Sequence, residues 1–168
     1  WVGWGAFNGD SGLVFNADVA PIMARTMLTA AGAGVTSILI GLLLIGHLRS
    51  ELLINGLLGG LVAGTASIHL INGIGAFLIG GLGSIAVLAG RDILEALEID
   101  DVVGAVPVHL FAGVVGTLAV AIAAPLEALP TGSRWAQLGV QAFGVVWVGV
   151  WVVSCTVPVV LALKTLVI

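Results

Sequence analysis

Residues 102–124 run for 23 positions with a single side chain that can titrate, His109. About 20 consecutive apolar residues suffice to cross the hydrocarbon core of a bilayer as a helix. In that solvent every backbone N–H and C=O must be satisfied within the protein, which leaves only helices and closed barrels. The apolar stretches of this chain are far longer than the ~10-residue strands of a barrel. The chain therefore reads as an all-α integral membrane protein, a bundle of spanning helices. Composition agrees, since 60% of its 168 residues are apolar and 8% are charged, against about 25% charged in a soluble domain.

Five spans and the tail of another follow from the apolar runs. They cover residues 1–8, 20–46, 52–68, 70–90, 102–126 and 135–163. Pro21 and Arg25 interrupt the second near its start, and Pro158 predicts a kink in the last. The hydrophilic breaks fall at 47–51, 91–101 and 127–134. Arg49, Arg91 and Lys164 then lie at one side of the membrane and Arg134 alone marks the other. The positive-inside rule puts the first set, and with it the C-terminus, on the cytoplasmic side. The chain opens on Trp1 without an initiator methionine and ends at Ile168 without a polar tail, so it reads as a piece of a longer one.

Small residues recur at spacings of three and four, at Gly56, Gly59, Gly60 and Gly64 and again from Gly73 and Gly75 through Gly80, Gly81 and Gly83. Small residues at such spacings let helices approach closely in lipid, and packing is the reading they support.

An ionisable side chain at bilayer depth is expensive and usually faces a pore or a polar partner. His109 is such a residue. Its competing reading is an imidazole held by the carbonyl of a neighbouring helix. Pro107 removes a backbone donor just before it, so an irregular start is expected for this span. Gly113, one turn further on the same face, leaves room beside the ring. Asp100 and Asp101 precede the span as candidate N-caps.

The stretch from Trp1 to Ser11 gathers Trp4, Phe7, Asn8, Asp10 and Ser11 at a membrane boundary. Aromatic faces there can attract a cation, or form an interfacial belt. His69 falls in an outer turn and His47 in a cytoplasmic loop, where solvation is the default. The three histidines have no metal-ligand spacing. Cys155 is single, so no disulfide framework is available within the chain. Arg25 is expected to snorkel or to pair with an acid. No basic patch suits nucleic acid. No nucleophile–base pair, phosphate loop or paired-carboxylate site marks an enzyme, and no cofactor is implied.

Three ordered motifs resemble the ammonium transporter family (the Amt, Mep and Rhesus group). They are Trp1-Val-Gly-Trp-Gly-Ala-Phe-Asn-Gly-Asp-Ser11, Asn55-Gly-Leu-Leu-Gly-Gly-Leu-Val-Ala-Gly-Thr65 and Ile99-Asp-Asp-Val-Val-Gly-Ala-Val-Pro-Val-His-Leu-Phe-Ala-Gly-Val-Val-Gly-Thr-Leu-Ala-Val120. The resemblance covers residues 1–168 as one membrane domain, the C-terminal half of an eleven-helix fold from the end of helix six onward. It implies transport of ammonium or ammonia through a hydrophobic pore, by a homotrimer with one pore per subunit, in the plasma (inner) membrane. By the same resemblance His109 is the second of a pair of pore histidines and Phe7 one of two stacked gating rings. Trp4 and Ser11 are vestibule residues, with Ser11 at the ammonium recruitment site.

The sequence also departs from the family pattern. Leu110 follows the histidine where glycine is frequent, Pro107 replaces a small residue, and Asp10 stands for glycine. Arg25 stands where asparagine is usual, and His69 sits in a turn usually written with small residues. This variant pattern resembles ammonium-transporter-like domains fused to diguanylate cyclases or histidine kinases. It implies an alternative, a membrane domain that senses ammonium and passes the signal to a cytoplasmic partner.

Overall fold

The computed structural model of the protein describes residues 2–11 and 15–167; Trp1 of the aromatic motif lies outside them. Helix α1 spans Val2–Asp10, and Ser11 closes it by donating from Oγ to the Phe7 carbonyl (2.8 Å). Helix α2 spans Val19–Ile40 and runs on as a π-turn over Gly41–Ile45, ending at Gly46 with φ +83°. Helix α3 is Ser50–Thr65 and α4 is Gly73–Ala96. A π-turn over Pro107–Phe111 leads into α5, Ala112–Ala123. Helix α6, Arg134–Val167, is the longest.

Helices α2, α3 and α4 form the packed core, and α5 with its π-turn lies across α3 and α4. Glycine makes this packing possible. A Cβ at Gly32 would fall onto the Phe77 carbonyl oxygen, and one at Gly80 onto that of Thr29. The backbones of α2 and α4 therefore touch at two points about one turn apart on each helix. Gly83 meets the backbone of Gly59, and Gly116 that of Ala63, so α3 is clamped to both α4 and α5. In lipid there is no hydrophobic drive to bring helices together, so such close approach supplies the van der Waals contact that holds them.

Hydroxyls along α2 and between α2 and α4 find partners close by. Thr26 Oγ1 donates to Ile22 O (2.8 Å) and Thr29 Oγ1 to Thr26 O (2.7 Å), each along its own helix. Ser37 and Ser84 share a hydrogen bond of 2.8 Å between α2 and α4. An unpaired hydroxyl would cost a few kcal/mol in such a medium.

The ends of the helices separate two faces of the bundle. Arg25, His69, Asn72, Ala123 and Pro125 line one cleft, at the face taken here as outer. Arg134 joins them, because its Nη1 donates to the carbonyls of Ala121 (3.0 Å), Ile122 (2.6 Å) and Ala124 (3.0 Å). That guanidinium caps the C-terminal end of α5, where free carbonyls and the helix dipole favour a cation. Glu51, Arg91, Glu95 and Asp101 line a cleft at the other face. Arg25 thus shares the outer end with Arg134, and the basic residues divide three to two rather than three to one.

The spans differ from the sequence reading mainly where charge was taken to end a helix. α4 continues six residues past Gly90, through Arg91, Asp92 and Glu95. Arg91 holds Asp92 (Nη2–Oδ1 3.0 Å) and Glu95 one turn further on (3.3 Å), so the charges stabilise the helix where it leaves the apolar zone. The turn is made later, where Glu98 adopts φ +56° and Ile99 N–H bonds back to Leu94 O (3.0 Å). Pro158 lies inside α6 and does not end it.

Three of these helices are long and apolar enough to cross a membrane, over Val19–Ile45, Gly73–Ala96 and Arg134–Leu166. Ser50–Thr65 and Pro107–Ala123 are shorter apolar helices. None of the spanning window of α6 is buried within the chain.

Backbone contact at Gly80 sets a test of the packing. Gly80→Ala is expected to destabilise the protein by about 2 kcal/mol or more, because overpacking must part α2 from α4. Gly139→Ala, with nothing within 4 Å of the added carbon, is expected to change stability by no more than about 1 kcal/mol. Thermal unfolding of both variants in detergent compares them directly.

Candidate functional site

The local sequence dictates an unusual start for α5. Gly104 takes φ +71°, and a Cβ there would collide with the Asn55 amide. Asn55 Nδ2 in turn reaches the Val103 carbonyl (3.4 Å). Asp101 then caps the helix with both carboxylate oxygens, accepting from Ala105 N–H (Oδ1, 3.0 Å) and Val106 N–H (Oδ2, 2.7 Å). Asp101 is the capping residue of the pair flagged in the sequence. Pro107, fully buried, follows with no N–H to offer, and the next turn widens to π geometry.

His109 sits in that π-turn. Its neighbours anchor it from behind, since Val108 is buried and the Phe111 ring lies against Gly90 of α4. The imidazole itself is exposed, as is Leu110 beside it. No hydrogen bond to the His109 side chain joins it to the described residues. The neighbouring-carbonyl reading of this histidine therefore finds no counterpart in the described chain. Gly113 meets nothing closer than Val62 at 3.7 Å, an ordinary contact that leaves space on the face His109 shares.

The aromatic site is built on α1. Trp4 is half-buried and donates from Nε1 to Thr65 Oγ1 (2.9 Å), which passes the bond on to Leu61 O (2.7 Å). Trp4 and Phe7 meet edge to face, with centroids 6.5 Å apart and planes at 79°. Phe7 is 59% exposed, so its ring faces outward from the bundle. Asn8 is buried at the next position and donates to Thr26 Oγ1 (3.0 Å), tying α1 to α2. Trp4, Phe7 and Ser11 thus gather at the outer half of α1. His109 lies elsewhere, about 21 Å below the outer end of α5 at 1.5 Å per residue.

Behind α1 opens a polar cleft of about 670 Å³ whose lining includes Asn8, Ser11, Asp18, Arg25, Thr65 and His69. Among the described residues Arg25 is not paired with an acid. Its Nη1 makes two long bonds, to the carbonyls of Ile68 (3.3 Å) and His69 (3.5 Å), in the turn between α3 and α4. His69 is exposed in that turn. Sequence reasoning assigned no role to Thr65 or Asn8, although both stood inside quoted motifs. A polar side chain amid the apolar residues of each motif was the available signal.

Known proteins resemble the chain as a whole. The sequence model of the Ammonium Transporter Family matches residues 1–168. A putative ammonium transporter of Synechocystis is 42% identical over 160 residues, covering 88% of this chain and 29% of that protein. An ammonium transporter of the archaeon Archaeoglobus fulgidus is 37% identical over 123 residues, covering 73% of this chain and 26% of its own length. Among solved structures, one titled Sensor Amt Protein superposes with a TM-score of 0.92 at 36% identity, over 97% of this chain and 41% of that one. A Mep2 mutant from Candida albicans superposes with a TM-score of 0.86 at 26% identity, over 97% and 44%. The chain thus spans less than half the length of each of these proteins.

The cap on α5 is separable from the rest of the site. Asp101→Ala is expected to weaken it by about 1 kcal/mol, a typical cost for losing an N-cap side chain. Amide hydrogen exchange at Ala105 and Val106 should then speed up about fivefold, with little change at Gly80.

Proposed function

Because the chain belongs to the ammonium transporter family, we propose that it forms one wall of a transmembrane pathway for ammonium or ammonia. The observation that carries this reading is His109, one titratable side chain in an apolar run, exposed in a widened turn braced by Gly104, Asp101 and Phe111. An apolar passage alone would block the cation, since stripping water from a small ion costs tens of kcal/mol by a Born estimate. A cation–π and hydroxyl site at the mouth offsets part of that cost. Trp4, Phe7 and Ser11 supply such a site: Trp4 is fixed by Thr65, Phe7 presents a ring, and Ser11 offers a hydroxyl. Ammonium that gives its proton to water at the mouth leaves as neutral ammonia, which moves on, and His109 offers it a hydrogen bond along the apolar stretch.

On this reading the other wall comes from a further stretch of the protein, and the exposed faces of His109 and α6 are where it packs. Assembly as a homotrimer, residence in the plasma membrane and a cytoplasmic C-terminus belong to the same proposal. The three basic residues at the Arg49 and Arg91 end favour that orientation over the two at the Arg25 end.

A second reading has a specific observation in its favour. The superposition on a protein titled Sensor Amt Protein reaches a TM-score of 0.92. On that reading the domain binds ammonium and reports it to a cytoplasmic partner, and Leu110 beside His109 narrows the path.

Ammonium-evoked current from the intact protein on a supported membrane tests the first reading. His109→Ala is expected to lower that current at least about tenfold, equivalent to losing a hydrogen bond worth about 1.5 kcal/mol. An unchanged current would remove His109 from the pathway. Ammonium binding without any current in the intact protein would favour the sensor.

A further inference from the structure

The outer cleft that holds Ser11 also holds a fixed positive charge. Arg25 lines it with Asn8, Ser11, Asp18, Thr65 and His69. Such a charge is unexpected beside a site read as recruiting a cation. It is not neutralised locally, since no carboxylate among the described residues lies within ion-pair distance of Arg25. Nor are its donors used up. Nη1 makes two long bonds to backbone carbonyls, while Nε and Nη2 have no protein partner among the described residues. Neither is sealed from solvent, because among the described residues the buried side-chain atoms without a hydrogen bond are Ser67 Oγ and Arg91 Nε. Asp18 lines the same cleft with the opposite sign, at the N-terminal end of α2.

We propose that Arg25 is a specificity-determining residue of this cleft, whose positive charge, opposed by Asp18, sets how tightly an ammonium-class cation is held beside Ser11. The inference rests on the reading of Ser11 and its neighbours as the recruitment site. Its physical basis is Coulomb repulsion between unit charges sharing one cleft of about 670 Å³, in a setting less polarisable than bulk water. A cation entering the cleft meets the guanidinium and is held more weakly than the polar lining alone would hold it. Neutral ammonia is indifferent to that charge. Arg25 therefore lowers occupancy by the charged species and moves the working range of the site to higher ammonium concentration. Because part of the cleft is open to solvent, salt must weaken the effect, with a screening length of about 30 Å at 0.01 M and about 3 Å at 1 M.

The test uses the intact protein in liposomes of uncharged lipid, at one fixed pH, titrated with ammonium chloride. The readout is the half-saturating ammonium concentration, by current or by binding, in low salt and in about 1 M sodium chloride. Arg25→Gln is expected to lower that concentration about two- to tenfold at low salt. Arg25→Lys keeps the charge and is expected to leave it unchanged. Asp18→Asn is expected to raise it, which keeps the proposal open to test if Arg25→Gln does not fold. All these differences should collapse at high salt. An unchanged value for Arg25→Gln or Asp18→Asn at low salt overturns the inference. So does a shift that persists at high salt or appears equally in Arg25→Lys, which would mark a structural role in holding the Ile68–His69 turn. Absence of any ammonium response in the unsubstituted protein would overturn the recruitment reading, and this inference with it.

Discussion

Backbone-to-backbone contact between α2 and α4 is the constraint on which the rest of the bundle depends. Gly32 admits the Phe77 carbonyl and Gly80 admits that of Thr29, so neither helix can slide or rotate without losing both seats. The hydroxyls between the helices fit the same spacing: Ser37 and Ser84 can bond at 2.8 Å because the helices are this close. Helix α3 then wedges its own glycines against α4 and α5. In lipid, where apolar side chains gain nothing by leaving solvent, such contact replaces the hydrophobic effect as the source of cohesion.

That rigid core aims the two functional stretches. Trp4 is pinned through Thr65 to the end of α3, and Asn8 through Thr26 to α2, so α1 is fixed at two points and Phe7 is left facing outward. At the other site, Gly104, Asp101, Pro107 and the Phe111–Gly90 contact all act on one turn. A π-turn shifts the register of the side chains that follow and costs regular hydrogen bonding, which is tolerated where neighbouring groups compensate. Here Asp101 supplies two acceptors to amides just before the turn, and the proline has no amide to satisfy. His109 leaves the bundle surface from this one irregular turn.

Charge distribution shows how much context decides. Arg91, Asp92 and Glu95 read as the break between two spans, yet they form an extra turn and a half of α4, because charges at i and i+4 support a helix once it has reached water. Arg134 read as a boundary marker, yet it closes the carbonyl end of α5 with three bonds from one nitrogen. Arg25 had two expected fates, snorkelling or pairing with an acid. Among the described residues it meets no acid, and it takes two backbone carbonyls of the α3–α4 turn at the outer end of the bundle.

The sequence by itself determined that this is a helical membrane chain, because no other structure satisfies a backbone buried in such long apolar runs. It also singled out His109, the irregular turn at Pro107 and the capping Asp101, all of which are local consequences of residue type. Its motifs carried the family resemblance over the whole chain. What only the tertiary structure decided are the pairings across helices: Trp4 with Thr65, Asn8 with Thr26, Arg25 with the Ile68–His69 turn, and the outward face of His109. These join residues 18 to 61 positions apart in the sequence. Nothing local encodes them, because they depend on how far glycines let each pair of helices approach and on the rotation that approach imposes.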